Sequence, residues 1–235
     1  MILAVVVPSY LPVSSYFGKI LLADVIIWAD SFQYKRHGSI NRTPIKTANG
    51  TKWLTIPVRT KGLGKQSIRQ ILIDSRQNWN KIHWKSIELN YQNAPYFGLY
   101  ADELEDMLKR KYQRLVDILY DSFDFAHSHL HSHKKILQSS QLPQIRDRTQ
   151  RLLAWASATG CDCYLMHQEE LPLIDAEQVS ERGIKLLTFT EQVQEYHQQF
   201  EGFLAPVSIL DLFMNEGMNS QTILRKQFKL QDMNI

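Results

Sequence analysis

The sequence predicts an α/β protein: a Rossmann-like N-terminal βαβ unit on a parallel sheet, followed by a helix-rich C-terminal part. Three observations carry that class. Ile2–Val7 and Val25–Trp28 are short, continuous, apolar and largely β-branched runs, the pattern of strands buried on both faces. Between them, Ser14 to Ala23 puts Phe17, Ile20 and Leu21 on one helical face, with Ser14 or Ser15 as cap, so strand, helix and strand follow within about 30 residues. Further on, Leu104, Met107, Leu108, Leu115, Ile118 and Leu119 form an apolar stripe at helical spacing.

Pro8-Ser9-Tyr10-Leu11-Pro12 reads as a turn, because each proline fixes φ and removes a backbone donor. Asp24 ends the first helix. Ligands of open parallel sheets bind beyond the carboxyl ends of the strands, which puts Ser9 and Tyr10 beside Asp30 and Gln33. Lys35 to Lys52 is polar and carries Gly38, Pro44 and Gly50, and reads as a long loop and a candidate functional segment. Trp53–Val58 reads as a strand whose Pro57 argues for an edge, Arg59–Gln66 as a basic turn, Ser67–Ile73 as a half-buried strand and Trp79–Asn90 as a helix.

Ala101–Leu119 is expected as one helix, acidic early at Asp102, Glu103, Glu105 and Asp106, and basic later at Lys109, Arg110, Lys111 and Arg114. A second helix runs from about Gln144 to Ala158, with Ile145, Thr149, Leu152, Leu153 and Ala156 inward and Gly160 as its stop. Cys163–Met166 and Ile184–Phe189 read as strands around a short helix ending at Gly183. Ser208-Ile209-Leu210-Asp211 is a capping-box start, and Gly217 closes that helix. No repeat or linker marks a firm boundary, so residues 1–235 are expected as one domain, with a sub-division near residue 100 as the alternative.

Composition narrows the function classes. With 44% apolar and 22% charged residues the chain is a globular protein rather than a disordered one, and its 235 residues can bury a core without disulfide staples. A net charge of +3 is too small for a nucleic-acid footprint. Cys161 and Cys163 are too close in sequence for ready disulfide geometry; Cys163 is expected buried on a strand and Cys161 in the loop before it. The apolar runs Met1–Val7 and Ile20–Ala29 fall short of the ~20 residues of a membrane span, and Met1 lacks a following basic segment of the secretory type. The expected location is cytoplasmic.

Several local patterns have a bland reading beside a chemical one. His127-Ser128-His129-Leu130-His131-Ser132-His133 would put four imidazoles on one face of a strand, or His127 and His131 one turn apart on a helix; either could bind Zn²⁺ or Ni²⁺. No carboxylate or cysteine stands at a completing distance, so a solvated loop is expected, and no metal site is assigned. Gly62-Leu63-Gly64-Lys65 lacks the full phosphate-loop spacing and is expected as a turn. The aromatic and basic residues of Trp79–Tyr100 could stack on bases or sugars, but five tryptophans more often serve packing. There is no Gly-x-Ser-x-Gly elbow for a serine triad.

Taken together, several blocks resemble the WbqC-like family of bacterial proteins. They are Pro8-Ser9-Tyr10-Leu11-Pro12, Tyr16-Phe17, Lys19-Ile20, Asp24-Val25, Asp30, Gln33 and Asn41-Arg42; then Trp53-Leu54, Pro57-Val58, His83-Trp84, Tyr91 and Ala94-Pro95-Tyr96-Phe97; then Ser139-Ser140, Leu142, Tyr164-Leu165, Gly183-Ile184, Tyr196, Gln198, Ser208-Ile209-Leu210-Asp211-Leu212 and Asn215-Glu216-Gly217. The resemblance spans about residues 1–217. It implies a part in the biosynthesis of surface polysaccharides such as O-antigen, some members being described as glycine or aminoacyl transferases acting on amino sugars. Where that family usually reads His-Gln-Pro-Asn, this chain has Val6-Val7-Pro8-Ser9. The opening βαβ unit also resembles that of pantothenate synthetase, an analogy of fold alone.

The resemblance and the strand ends together imply a transferase that moves an acyl, aminoacyl (glycyl) or amino group onto a nucleotide-linked sugar. In that reading Asp30 binds a ribose hydroxyl, an amine or a metal. Lys19 and Arg42 neutralise phosphate, Gln33 and Asn41 orient the acceptor, Ser9 and Tyr10 line the strand end, and His83 is the general acid–base. Asp30, Gln33, Asn41 and Arg42 are expected to converge on one cleft. The bland alternative pairs Asp30 with Arg42, packs His83 beside Trp84 and makes Asp211 a helix cap. A second class of function is a non-catalytic nucleotide-sugar-binding or assembly protein, since Val6 and Val7 cannot move protons. The expected partner is a small molecule, a nucleotide-sugar or amino-acid derivative, with neither nucleic acid nor a membrane span. The sequence names no cofactor and leaves a homo-oligomer open.

Overall fold

The computed structural model describes residues 1–60, 62–132 and 134–233. Strand β1 (Ile2–Val6) and strand β2 (Val25–Trp28) pair in parallel from Leu3↔Val25 to Val6↔Trp28, joined by helix α1 (Phe17–Leu22). A 3-10 turn at Ser14–Tyr16 runs straight into α1, so neither serine is needed as a cap. Gly18 lets α1 approach the sheet: a Cβ there would lie 2.7 Å from the Phe189 ring and 2.9 Å from Phe228.

The expected loop at Lys35–Lys52 is instead largely a hairpin, β3 (Arg42–Thr47) and β4 (Gly50–Thr55). Gly50 turns it at φ +95°, the Thr47 hydroxyl donates to the Gly50 carbonyl (2.8 Å), and Ile45 and Leu54 bury in the core. Ser67–Ile73, expected as one strand, is a strand only at its end. Gln70 Oε1 accepts from the backbone N–H (2.9 Å) and hydroxyl (3.0 Å) of Ser67, which bends Ile68–Gln70 into a 3-10 turn before the short pair β5 (Val58–Arg59) and β6 (Leu72–Ile73).

Helix α2 spans Trp79–Tyr91. The stripe expected as one helix from Ala101 to Leu119 is broken into α3 (Phe97–Lys109) and α4 (Leu115–His129). Residues 110–114 leave the helix because they are drawn to the β6 segment: Ile73 N–H donates to Gln113 O (2.9 Å) and Leu115 N–H to Ile71 O (2.9 Å). These bonds replace intrahelical ones, so the apolar periodicity continues while the helix does not.

The rest of the chain adds β7 (Lys135–Gln138), α5 (Arg148–Thr159), β8 (Cys163–Leu165), α6 (Ala176–Glu181), β9 (Lys185–Glu191), α7 (Ile209–Glu216), α8 (Ser220–Gln227) and β10 (Phe228–Asp232). Asp147 caps α5 by accepting from Gln150 N–H (2.8 Å), and Gly160 ends it in the left-handed region. Six strands form one sheet in the order β10-β9-β8-β1-β2-β7, parallel except for the β9–β10 edge pair. The sheet thus takes strands from both sides of residue 100. Alternation assigns its faces: Leu3, Val25 and Ile27 pack against Leu152, Trp155 and Ala156 of α5, while Ala4, Val6, Ile26 and Trp28 join the larger core with α1, α4 and α7. Cys163 starts β8 and Cys161 lies in the loop before it, as expected, but Cys163 is partly exposed and Cys161 is the buried one; both are free.

The histidine run is not the expected solvated loop, because the apolar face of α4 carries the helix through His129. The His127 ring stacks on Phe123 at 5.5 Å, His129 Nε2 lies 2.8 Å from Glu103 Oε2, and His131 sits in a turn at φ +46°. His133 lies outside the described residues.

Two buried polar groups were given other expectations from sequence. Asp211 is fully buried and does not complete a capping box; only Ser208 caps, its hydroxyl accepting from Leu210 N–H at 3.4 Å. The Asp211 carboxyl accepts from Tyr91 OH and Tyr196 OH, each at 2.9 Å, which ties α7 to α2 and to the 192–207 segment. Burial pushes its pKa up against the opposing effect of those two hydroxyls. His83, expected as the acid–base group, is 2% exposed in the core. Its Nδ1 lies 3.0 Å from Tyr10 OH and its Nε2 3.3 Å from Thr55 O, so the Nε2–H tautomer donates to the carbonyl and Nδ1 accepts from the tyrosine. Trp79, not Trp84, packs against it, with ring centroids 5.2 Å apart.

Replacing Asp211 by Ala should lower the unfolding free energy by about 2–4 kcal/mol, since it strands two buried hydroxyls. Denaturant titration checks this, and a loss comparable to a surface substitution would reject it. Burial depresses the His83 pKa to about 4. The folded state therefore refuses a proton that the unfolded chain accepts below its ordinary value near 6.5. Stability is whole above pH ~6.5 and falls as pH drops toward 4, by about 3 kcal/mol from this group. The fall should be much smaller in His83→Gln, measured as the difference between the two stability–pH curves.

Candidate functional site: the cleft at the strand switch point

β1 is followed in the sheet by β2 and β7 on one side and by β8 and β9 on the other. Counting only the six sheet strands along the chain, this is the doubly wound order 3-2-1-4-5-6, and the connections diverge between β1 and β8. At that point the carboxyl ends of the strands open into a cleft of about 1090 Å³. Its floor is the end of β1 and the turn beyond, Val5 to Ser9, together with Met166 and His167 after β8. The segment after β2 (Ser31, Phe32, Gln33) and α5 with the stretch before it (Arg146, Arg148, Arg151, Trp155) wall it together, Phe32 stacking on Trp155. A smaller recess of about 340 Å³, lined by Arg36, Gly64 and Lys65 among others, shares Gln33 and Lys35 with it.

The lining is cationic. Lys19, Lys35, Arg146, Arg148 and Arg151 face it, against Glu170 as the one carboxylate among the described lining residues. Glu170 is already engaged: its Oε1 lies 2.5 Å from the buried Lys19 Nζ and accepts from His167 N–H at 3.3 Å. Lys19 Nζ is also 3.5 Å from Val5 O, so the ammonium bridges the ends of β1 and β8. The His167 imidazole rests against the Phe189 ring at 4.9 Å, and partial burial followed by the Lys19 charge holds its pKa below the ordinary histidine value. It is thus neutral at pH 7, with a proton-accepting nitrogen.

The cleft gathers Ser9, Lys19 and Gln33 from the sequence-derived set; Tyr10, Asp30, Asn41, Arg42 and His83 do not line it. Tyr10 is fully buried, with its hydroxyl on His83. Asp30 joins the ends of β2 and β7, its Oδ1 accepting from Ser139 Oγ (3.0 Å) and Ser140 N–H (2.9 Å). Ser139 Oγ in turn accepts from Ser31 N–H at 3.0 Å, so Asp30 holds the cleft-lining Ser31 from behind. Asn41 accepts from Tyr34 OH (2.9 Å) and donates to Ile56 O (2.7 Å). Arg42 donates to Gly38 O (3.0 Å) and His37 O (2.7 Å), with its guanidinium carbon 4.5 Å from the Trp53 ring centroid. The expected convergence of Asp30, Gln33, Asn41 and Arg42 is corrected by the hairpin: Arg42 pairs with Thr55 as the first residue of β3, and only Gln33 of the four lines the cleft. Asp30 and Arg42 do not pair with each other either.

Sequence reading missed His167, Glu170, Arg146, Arg148 and Arg151. Arg148 and Arg151 stand three apart in the helix that was expected to start near Gln144, so their shared face was available in the sequence; that this face meets the end of β1 was not. His167 follows a strand expected from sequence, but only strand order makes that strand a neighbour of β1. Among the described residues, no group of three His, Cys, Asp or Glu side chains comes together to hold a metal, and no helix is long and apolar enough to cross a membrane.

Comparison with known proteins agrees with the whole-chain extent of these features. An uncharacterized protein of Mycobacterium tuberculosis, Rv1507c, is 31% identical over 224 residues, covering 94% of this chain and 96% of its own length. No solved structure matches the chain significantly. Residues 8–223, which include the turn after β1, the arginine-bearing helix α5 and the Asp211 knot, match the WbqC-like protein family; the chain belongs to that family.

Proposed function

We propose that the chain is a transferase that moves an acyl, aminoacyl (glycyl) or amino group onto a nucleotide-linked sugar, within surface-polysaccharide biosynthesis of the O-antigen kind. The observation that carries this reading is the cationic cleft of about 1090 Å³ at the strand switch point, room enough for a two-part phosphorylated ligand. Four cations of its lining remain after Lys19 is paired with Glu170, which suits a ligand bearing two or more negative charges. Ser9 and Gln33 supply neutral hydrogen-bonding groups for sugar hydroxyls. His167, neutral and at the floor, is suited to take the proton from a sugar amine or hydroxyl as it attacks an activated acyl carbon, and to return it to the leaving group.

A second reading, a non-catalytic nucleotide-sugar-binding or assembly protein, is favoured by Val6 and Val7, which line the same floor with apolar side chains. Both readings expect binding, and turnover separates them. Nucleoside diphosphate sugars should raise the melting temperature, a ligand at 100 times its Kd contributing about 2.7 kcal/mol. Arg42→Ala should leave that affinity unchanged. In the transferase reading, mass spectrometry detects an acylated or aminated sugar product, and His167→Asn lowers its rate about 100-fold or more with little change in Kd. Binding without product across acyl, aminoacyl and amino donors selects the second reading, and absence of binding to every nucleotide-sugar rejects both.

A further inference from the structure

The Arg151 guanidinium is held in an unusual way for a surface arginine. Its Nη1 donates to Ile145 O (3.0 Å) and Arg146 O (3.4 Å), and its central carbon lies 5.0 Å from the Phe32 ring centroid and 5.5 Å from that of Trp155. The two rings are themselves stacked at 6.1 Å, so the guanidinium is fixed against an aromatic wall. No carboxylate lies within 4.0 Å of Arg151, Arg148, Arg146 or Lys35 among the described residues. Asp147, between Arg146 and Arg148, is engaged in capping α5 and acts on Arg151 only as a weak through-space charge. Burial, the largest influence on it, lowers the Arg151 pKa; the effect of a counter-charge is too weak to offset it. A fixed, partly desolvated cation with no carboxylate in contact, open to a cleft, is costly in the free protein and is compensated when an anion arrives.

We propose that Arg151 and Arg148, with Arg146 at the rim, form a diphosphate-binding subsite in which the Arg151 fork grips a nucleoside diphosphate beside the Phe32–Trp155 wall. A guanidinium with one edge spent on loop carbonyls still offers its remaining N–H groups to two phosphate oxygens, a geometry an ammonium cannot match. Trp155 is buried behind Phe32, so the half-buried Phe32 ring is the aromatic surface left to the ligand, and it favours a nucleoside over a lipid chain as the group attached to the diphosphate. This deepens the reading of the cleft as a nucleotide-sugar site and rests on it for the identity of the ligand, though not for the anion chemistry. The reacting end of the ligand then lies toward Ser9 and His167, across the cleft from the arginines.

Calorimetry on the full chain with inorganic pyrophosphate tests the subsite directly. Wild type should bind it, and Arg151→Gln and Arg148→Ala should each weaken it about tenfold; Arg42→Ala, outside the cleft, should not. Arg148 is exposed, so its variant decides the matter should Arg151→Gln fail to fold. Arg151→Lys should recover only part of the loss, because charge returns without the fork. Pyrophosphate that does not bind wild type, or binds both variants as well as wild type, overturns the subsite. UDP and ADP should displace pyrophosphate better than farnesyl diphosphate does, and the reverse order overturns the nucleoside assignment. If nucleotide-sugars bind but neither substitution weakens them, the subsite falls and the function stands. If both substitutions weaken pyrophosphate but no nucleotide-sugar binds wild type, the subsite stands and the function falls.

Discussion

Parallel pairing of β1 with β2 on one side and β8 on the other creates the constraint from which the rest of the molecule follows. Adjacent parallel strands end at the same sheet edge, and connections that leave in opposite directions cannot cover the gap between them. The gap must be walled by whatever follows: here the segment after β2 and helix α5. The strands themselves are buried on both faces, so their side chains are committed to packing, and chemistry is left to the residues just beyond their ends. Lys19 reinforces this arrangement by reaching Val5 O and Glu170 together, coupling helix α1 to the exits of both central strands.

The polar residues divide by whether their bonding capacity is used. Asp30, Asn41, Tyr10, His83 and Asp211 are buried and each has partners within hydrogen-bond distance. Their work is to join elements distant in sequence: β2 to β7 through Asp30, α7 to α2 and Tyr196 through Asp211, the turn after β1 to α2 through Tyr10 and His83. A buried polar group that is satisfied in one geometry only penalises alternative packings, which is why such residues recur at joints between elements. The arginines of the cleft are the opposite case, with charge in excess of any neighbouring acid. That contrast, more than residue type, separates scaffold from candidate site.

The secondary structure that sequence reading missed lies where local pattern and tertiary demand disagree. The periodicity through residues 101–119 continues across the α3–α4 break because both helices bury the same apolar side, and only the pull of β6 on Gln113 and Leu115 interrupts the backbone. The Lys35–Lys52 segment was polar enough to read as a loop, yet its second half pairs with the following strand and buries Ile45, Lys46 and Thr43. Strand propensity is weak evidence where a strand has its partner only three to thirteen residues away and its face covered by distant helices.

The sequence by itself determined the α/β class, the first βαβ unit with its strand limits, the stop of α5 at Gly160 and the family, because buried parallel strands, helix stops and ordered motif blocks are written locally. It also pointed to the edge after β1 and β2, where the structure opens a cleft. Only the tertiary structure decided which residues reach that edge. Strand order is set by long-range pairing, so nothing in the spacing of Val6 and His167, or of Phe32 and Arg151, announces that each pair meets in one cleft. Long-range packing likewise withdrew Asp30 and His83 from it, while Asn41 and Arg42 are held at the base of the hairpin by groups nearer in sequence.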